Sequence, residues 1–150
     1  MTLSKEQQRS EAIELFNKTW ELVDLQVRTG EQEEEMIHLA HASRYYWSKA
    51  GDYVNWSRGD WLLSKVYSIV GEGQNALKYA LANEKLHTEY NLADFDAAFV
   101  HEALARSYAV LEKQDLKEFH LGKARGLVEG ISKKEDREYF VGELEKISDI

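Results

Sequence analysis

The stretch LLSKVYSIVGEGQNALKYA, residues 62–80, decides how this chain folds. Leu62, Leu63, Val66, Tyr67 and Val70 recur at steps of three and four, so they share one helical face. Gly71 and Gly73 interrupt that pattern, and Ala76, Leu77 and Ala80 resume it. Glycine enters left-handed backbone that other residues avoid, which is where helices commonly stop. Two helices joined by so short a break must fold back on one another. The small alanines let the two rods approach closely.

Working outward, the same punctuation recurs. Asp52 is placed to cap a helix over about Tyr53–Val70, and Gly51 ends the one before it, about Gln32–Ala50, whose stripe is Met36, Ala40, Ser43, Trp47 and Ala50. The first helix is predicted over about Lys5–Arg28. Ser4 and Gln7 form its capping box, Ile13, Phe16, Trp20, Val23 and Val27 its stripe, and Gly30 its stop. Downstream, a fourth helix covers about Gln74–Tyr90, with Ala76, Leu77, Ala80, Asn83 and Leu86 inward. Asp94 is expected to cap a fifth, DFDAAFVHEALARSYAVLEK (94–113). Asp115 with Glu118 would start a sixth over about Leu116–Gly130, and Ser132 with Glu135 a seventh that runs to the end. The reading is an all-α protein of about seven antiparallel helices in one domain, 1–150.

Bulk properties agree. The chain has no proline, where average usage would place about seven. It can therefore be helical almost throughout. At 43% hydrophobic and 31% charged residues, its 150 residues suit one soluble globular domain. No cysteine is present, so disulfides and thiolate metal sites are excluded. The first thirty residues are charged throughout, unlike a signal peptide, and no apolar run approaches the ~18 residues of a membrane span. A net charge of −8 repels phosphate backbones, which argues against nucleic acid as a partner. The expected compartment is the cytoplasm.

The segments 62–80 and 104–124 share a Leu-x-x-x-Tyr step, a break, and an alanine-bearing second helix. Leu63, Tyr67, Gly71 and Ala76 stand at the spacing of the tetratricopeptide repeat, which this part of the chain resembles. The second copy has Leu104, Ala105, Tyr108 and Ala124, but it lacks the inter-helix glycine and carries Lys117 where a small residue is usual. Tyr67 and Tyr108 lie 41 residues apart rather than about 34. The combination YYWSKAGDYVNWSRGDWL with DFDAAFVHEALAR also looks like a widespread set of bacterial tetratricopeptide-like proteins. The resemblance spans roughly residues 58–128. It implies stacked hairpins, a right-handed superhelix with a concave surface and a bacterial cytoplasm, and it supplies no activity. The seventh helix would then be the cap, its outer side charged by Lys133, Lys134, Glu135, Arg137, Glu138 and Glu145.

In that arrangement a polar strip on the third and fifth helices faces the concave groove, between helices one, three and five. It comprises Arg58, Trp61, Lys65 and Ser68, with Phe99, Glu102 and Arg106. Glu102 and Arg106 stand four apart, the favourable order for an intrahelical ion pair. Cations beside an aromatic plane suit an acidic or carboxylate-bearing peptide. The plainer alternative is solvated charges around a core tryptophan. The expected function is a non-catalytic module that binds a peptide or protein segment, without a cofactor.

The competing reading is a small metal-dependent or acid–base enzyme using His41, His101, Glu102 and Arg106. His38 and His41 are three apart, with His101 a third ligand from the fifth helix, but H-x-x-H without the glutamate of a zincin motif is weak, and each histidine is more simply a helix-packing residue with a polar tip. Asp94 and Asp96 read as helix-start residues rather than an acid–base pair. No Gly-rich phosphate loop or nucleophile elbow occurs. Tyr45, Tyr46, Trp47, Tyr53, Trp56 and Trp61 crowd one region. They cannot all point inward, so a homodimer through this aromatic cluster is the third expectation.

Overall fold

In a computed structural model that describes residues 2–150, the chain forms seven α-helices, and no strand occurs among those residues. They are α1 (Lys5–Val23), α2 (Gly30–Ala50), α3 (Tyr53–Ile69), α4 (Gly73–Tyr90), α5 (Asp94–Val110), α6 (Gln114–Arg125) and α7 (Lys134–Ser148). A 3-10 turn, Val128–Gly130, precedes α7. The pairs α1–α2, α3–α4 and α5–α6 pack as hairpins, and α2–α3 and α4–α5 join one hairpin to the next. Within the stack α3 lies against α5, and α7 closes the end against α5 and α6. None of the helices among the described residues is long and apolar enough to cross a membrane.

The turn at Gly71 ends α3 in a Schellman motif. Gly71 has φ 80°, its N–H donates to the Ser68 carbonyl at 3.1 Å, and the Glu72 N–H donates to Tyr67 at 2.9 Å. At the end of α5 the same pair of bonds runs from Glu112 to Ala109 and from Lys113 to Tyr108. Glu112 holds the left-handed position there, at φ 58°. The missing glycine of the second copy is therefore replaced by a glutamate in the same backbone state. Gly73 serves a different purpose: a Cβ there would stand 2.7 Å from Leu111, so its absence lets α4 start against the end of α5.

Three capping boxes form, at Ser4–Gln7, Thr29–Gln32 and Asp52–Asn55. Several expected ends differ. α1 stops at Val23 rather than Arg28, because Arg28 folds back and donates to the carbonyls of Leu22, Val23 and Leu25. Val27 is left 84% exposed, while Ala12 and Thr19 take the buried side of α1. Gly30 opens α2 instead of stopping α1, since Thr29 supplies the cap. Asp94 does not cap α5. Its carboxylate accepts the Ser132 backbone N–H at 3.0 Å and the Ser132 hydroxyl, which removes Ser132 from the start of α7 as well. Asp115 does not cap α6, which begins at Gln114 and ends at Arg125.

The core is built from alternate stripes of these helices. Met36, Ala40, Leu62, Leu63 and Val66 form one cluster, and Ala98, Phe99, Leu121, Phe140, Leu144 and Ile147 another. Each large side chain so buried contributes about 1.5–3 kcal/mol. Trp61 packs against both clusters and against the smaller one around Ala80, Val100 and Leu104. Lys117 is 2% exposed, and its Nζ donates to the carbonyls of Ser148 at 3.3 Å and Ile150 at 3.0 Å. The long Lys117 side chain thus ties α6 to the C-terminal end of α7, where backbone carbonyls lack helical partners.

Candidate functional site

Two adjoining cavities lie along the inner side of the stack, lined mainly from α1, α3, α5 and α7. The first, of about 640 Å³, has aromatic walls from Phe16, Trp20, Trp61, Phe95, Phe99 and Tyr139. Its charged lining is three carboxylates, Asp24, Asp96 and Asp136, against one guanidinium, Arg58. The second, of about 500 Å³, is lined by four cations, Arg28, Lys65, Arg106 and Lys146, against Asp24 and Glu143. Trp20, Asp24 and Tyr139 belong to both, so the two make one groove of opposite polarity at its ends.

Helix periodicity puts Trp61 and Lys65 one turn apart on α3, and Glu102 and Arg106 one turn apart on α5. Packing of α3 on α5 then brings all four together. The Trp61 indole N–H donates to Glu102 Oε1 at 2.9 Å, and Arg106 Nη2 donates to Glu102 Oε2. Glu143 of α7 joins them, accepting from Lys65 at 3.0 Å and from Arg106 at 3.5 Å, while Lys146 reaches its other oxygen at 3.2 Å. The ammonium of Lys65 and the guanidinium of Arg106 sit 5.7 and 5.8 Å from the Trp61 ring centre, within cation–π range. Trp20 stacks on Trp61 at 5.9 Å, and Phe99 meets it edge-on at 5.4 Å. Phe99 is only 4% exposed and serves the core more than the groove.

Arg58 stands apart from that network. Its Nε and Nη2 hold Asp96 in a bidentate pair at 2.9 and 3.1 Å, linking α3 to the first turn of α5. Asp96 thus serves a neighbouring helix rather than its own start.

Burial sets the electrostatics. It lowers the Lys65 ammonium pKa, as does Arg106, against the pull of Glu102 and Glu143. Burial pushes the Glu143 carboxyl up, but Lys65, Arg106 and Lys146 outweigh it and hold the group below the usual carboxylate range. Burial, then Glu143 and Glu102, push the Tyr139 hydroxyl up, so it stays a protonated donor. Glu102 is fully buried, yet both its oxygens are matched. This is an assembly that holds charges in place, its carboxylates bonded to cations and to the Trp61 indole.

The histidines lie elsewhere. His41 Nε2 is 2.7 Å from the Tyr67 hydroxyl, and its ring also contacts Tyr79. His101 Nδ1 is 2.9 Å from His120 Nδ1, with the rings stacked at 5.2 Å. Burial lowers the pKa of His41, with His38 and Lys78 adding to it, and burial followed by His120 lowers that of His101. His41 and His101 thus have separate partners, and neither is bonded to Glu102 or Arg106. Among the described residues no group of three or more His, Asp or Glu side chains is placed to hold a metal ion.

Sequence reasoning missed Glu143, Trp20, Asp24 and Tyr139. Glu143 did carry a signal, since it stands three residues after Phe140 and four before Ile147, both core positions of α7. A carboxylate on a buried stripe needs a buried cation. Compared with protein-family models, curated proteins and solved structures, the chain gives no significant match.

Proposed function

We propose that the chain is a non-catalytic interaction module that binds a peptide or protein segment along this groove. The observation that carries the reading is the pair of adjoining cavities that share Trp20, Asp24 and Tyr139, the larger of them also walled by Trp61. A groove several side chains long, aromatic at its centre and charged at both ends, suits an extended or helical segment. A carboxylate-bearing residue of that segment fits the end with Lys65, Arg106 and Lys146. Arg106 Nη1 is buried there without a hydrogen-bond partner. The paired turns at Gly71 and Glu112 support a tetratricopeptide-like relationship between the α3–α4 and α5–α6 hairpins. The setting that goes with it is the bacterial cytoplasm. An enzyme using His41, His101, Glu102 and Arg106 is less favoured, because those side chains are engaged in three different places.

The four tryptophans supply the test. Trp20 and Trp61 line the groove, whereas Trp47 and Trp56 pack at the α2–α3 turn, where the Trp56 indole donates to the Trp47 carbonyl. Peptides selected from a random display library should shift the indole NMR signals of Trp20 and Trp61 and leave Trp47 and Trp56 unmoved. Binders that move only the second pair would overturn the groove. Self-association belongs to the same reading as a secondary feature: Tyr45 is 57% exposed, and the exposed Tyr53 and Tyr90 stack on one another at 4.7 Å. Sedimentation at several concentrations reads it directly.

A further inference from the structure

We infer that the larger cavity is a pocket for a basic side chain, the lysine or arginine of the bound segment. This rests on the groove reading and assigns its other end. Three independent features favour a cation there. The first is charge: Arg58 commits two of its nitrogens to Asp96, so the guanidinium is already neutralised. Asp24 and Asp136 enter no ion pair among the described residues, and they leave the cavity negative. The second is the wall. Trp20, Trp61, Phe95 and Tyr139 line the space, and aromatic rings attract ammonium and guanidinium groups.

The third feature is an unmet acceptor. Asn83 lines the cavity and is 2% exposed, and its Nδ2 donates to the Ser57 carbonyl at 3.0 Å and the Ser57 hydroxyl at 2.8 Å. A carbonyl only accepts, so the amide orientation is fixed and Oδ1 is the free end. Oδ1 is buried with no hydrogen-bond partner. Buried acceptors without partners are rare in folded proteins, and an N–H donor that reached this one would satisfy it. A volume of about 640 Å³ is ample for one long side chain, with its apolar stem against Phe95 and Phe16 and its head toward the carboxylates.

The segment that fits both ends is therefore bipolar, carrying a basic residue for the aromatic cavity and an acidic one for the Lys65–Arg106 end. An Arg side chain would make no covalent change; it would be held by charge-assisted hydrogen bonds and stacking alone.

The test uses the full chain and Nα-acetyl-arginine N-methylamide, which presents the side chain without a free carboxylate. Titration should shift the Trp20 and Trp61 indole signals saturably, and the norleucine analogue should bind at least about tenfold more weakly. Asp24→Asn with Asp136→Asn should weaken the arginine probe by about tenfold while leaving the helical circular dichroism intact, since neither carboxylate holds another element. Equal binding of the two probes, or no loss in the double variant, overturns the inference. Tighter binding of free agmatine than of the peptide-like probe would overturn it too, because the cavity would then be a small-amine site. Display-selected peptides that shift Trp20 and Trp61 but show no enrichment of Lys or Arg would sink this proposal and leave the groove standing. If no peptide shifts those signals, the groove itself fails.

Discussion

Gly71 and Glu112, forty-one residues apart, occupy the same left-handed position at the ends of α3 and α5, with φ 80° and 58°. Both turns close with the same two hydrogen bonds, one from the left-handed residue to the carbonyl three back and one from the next residue to the carbonyl five back. Glycine takes that backbone without penalty; a glutamate must press its Cβ toward the neighbouring carbonyl. The hairpin repeat is thus clearer in the backbone than in the residues that make it.

One consequence concerns stability. Glu112→Gly should stabilise the fold by roughly 0.5–1 kcal/mol, the relief of left-handed strain less the added freedom of the unfolded chain. Gly71→Glu should destabilise by about 1 kcal/mol or more for the opposite reason. Urea unfolding at constant slope reads both, and a destabilised Glu112→Gly variant would show that the turn is not strained.

The buried charge network gives the largest expected effect. Glu143→Leu leaves Lys65 with no partner and Arg106 with only Glu102, and should cost about 3 kcal/mol. Adding Lys65→Met should restore much of that loss, because the remaining Glu102–Arg106 pair is self-contained. The sign with pH follows from Glu143 being held below its ordinary range. Its contribution is full above the unfolded carboxylate value near pH 4 and disappears as pH falls through the lower folded value. The Glu143→Gln variant should show a shallower acid-unfolding limb than the unaltered protein in the same buffers.

How far the sequence revealed these features depends on the range of the interaction. Helix number and the inner stripes of α2, α3 and α4 are set by spacing within a dozen residues, and Met36, Ala40, Leu62, Leu63, Ala76 and Ala80 are all buried as that spacing implies. Local caps at Ser4 and Asp52 were equally plain. The failures share one cause: a polar side chain with a local option took a distant one. Asp94 and Ser132 each looked like a cap for its own helix and instead bond one another across thirty-eight positions. Asp96 reaches Arg58, and Lys117 reaches the end of α7. Trp61 with Lys65, and Glu102 with Arg106, each lie one turn apart on their helix, so spacing alone puts each pair on one face, although Glu102 is fully buried beneath the groove and lines neither cavity. Glu143 was hidden because its partners are on other helices entirely.

The histidine pair makes the last prediction, in a separate pH window. A hydrogen bond between His101 Nδ1 and His120 Nδ1 needs one ring to donate and the other to accept, so the two cannot both be charged. Burial lowers both pKa values, His120 and Lys123 add to the effect on His101, and nearby Glu84 opposes it. Groups whose folded pKa lies below the unfolded value bind fewer protons in the fold. Stability is therefore fully present above the unfolded histidine value of about 6.5 and falls as pH drops from there toward the folded values. His41, lowered by burial against Tyr67 and Tyr79, contributes in the same direction. The unaltered protein should lose stability as pH drops below about 6.5, starting above the range in which Glu143 titrates. His120→Phe keeps a ring over Tyr108, whose centre lies 5.6 Å from that of His120, but removes the proton. It should flatten this limb while leaving the more acidic one in place. An unchanged slope in that variant would mean that the pair does not titrate as a buried unit.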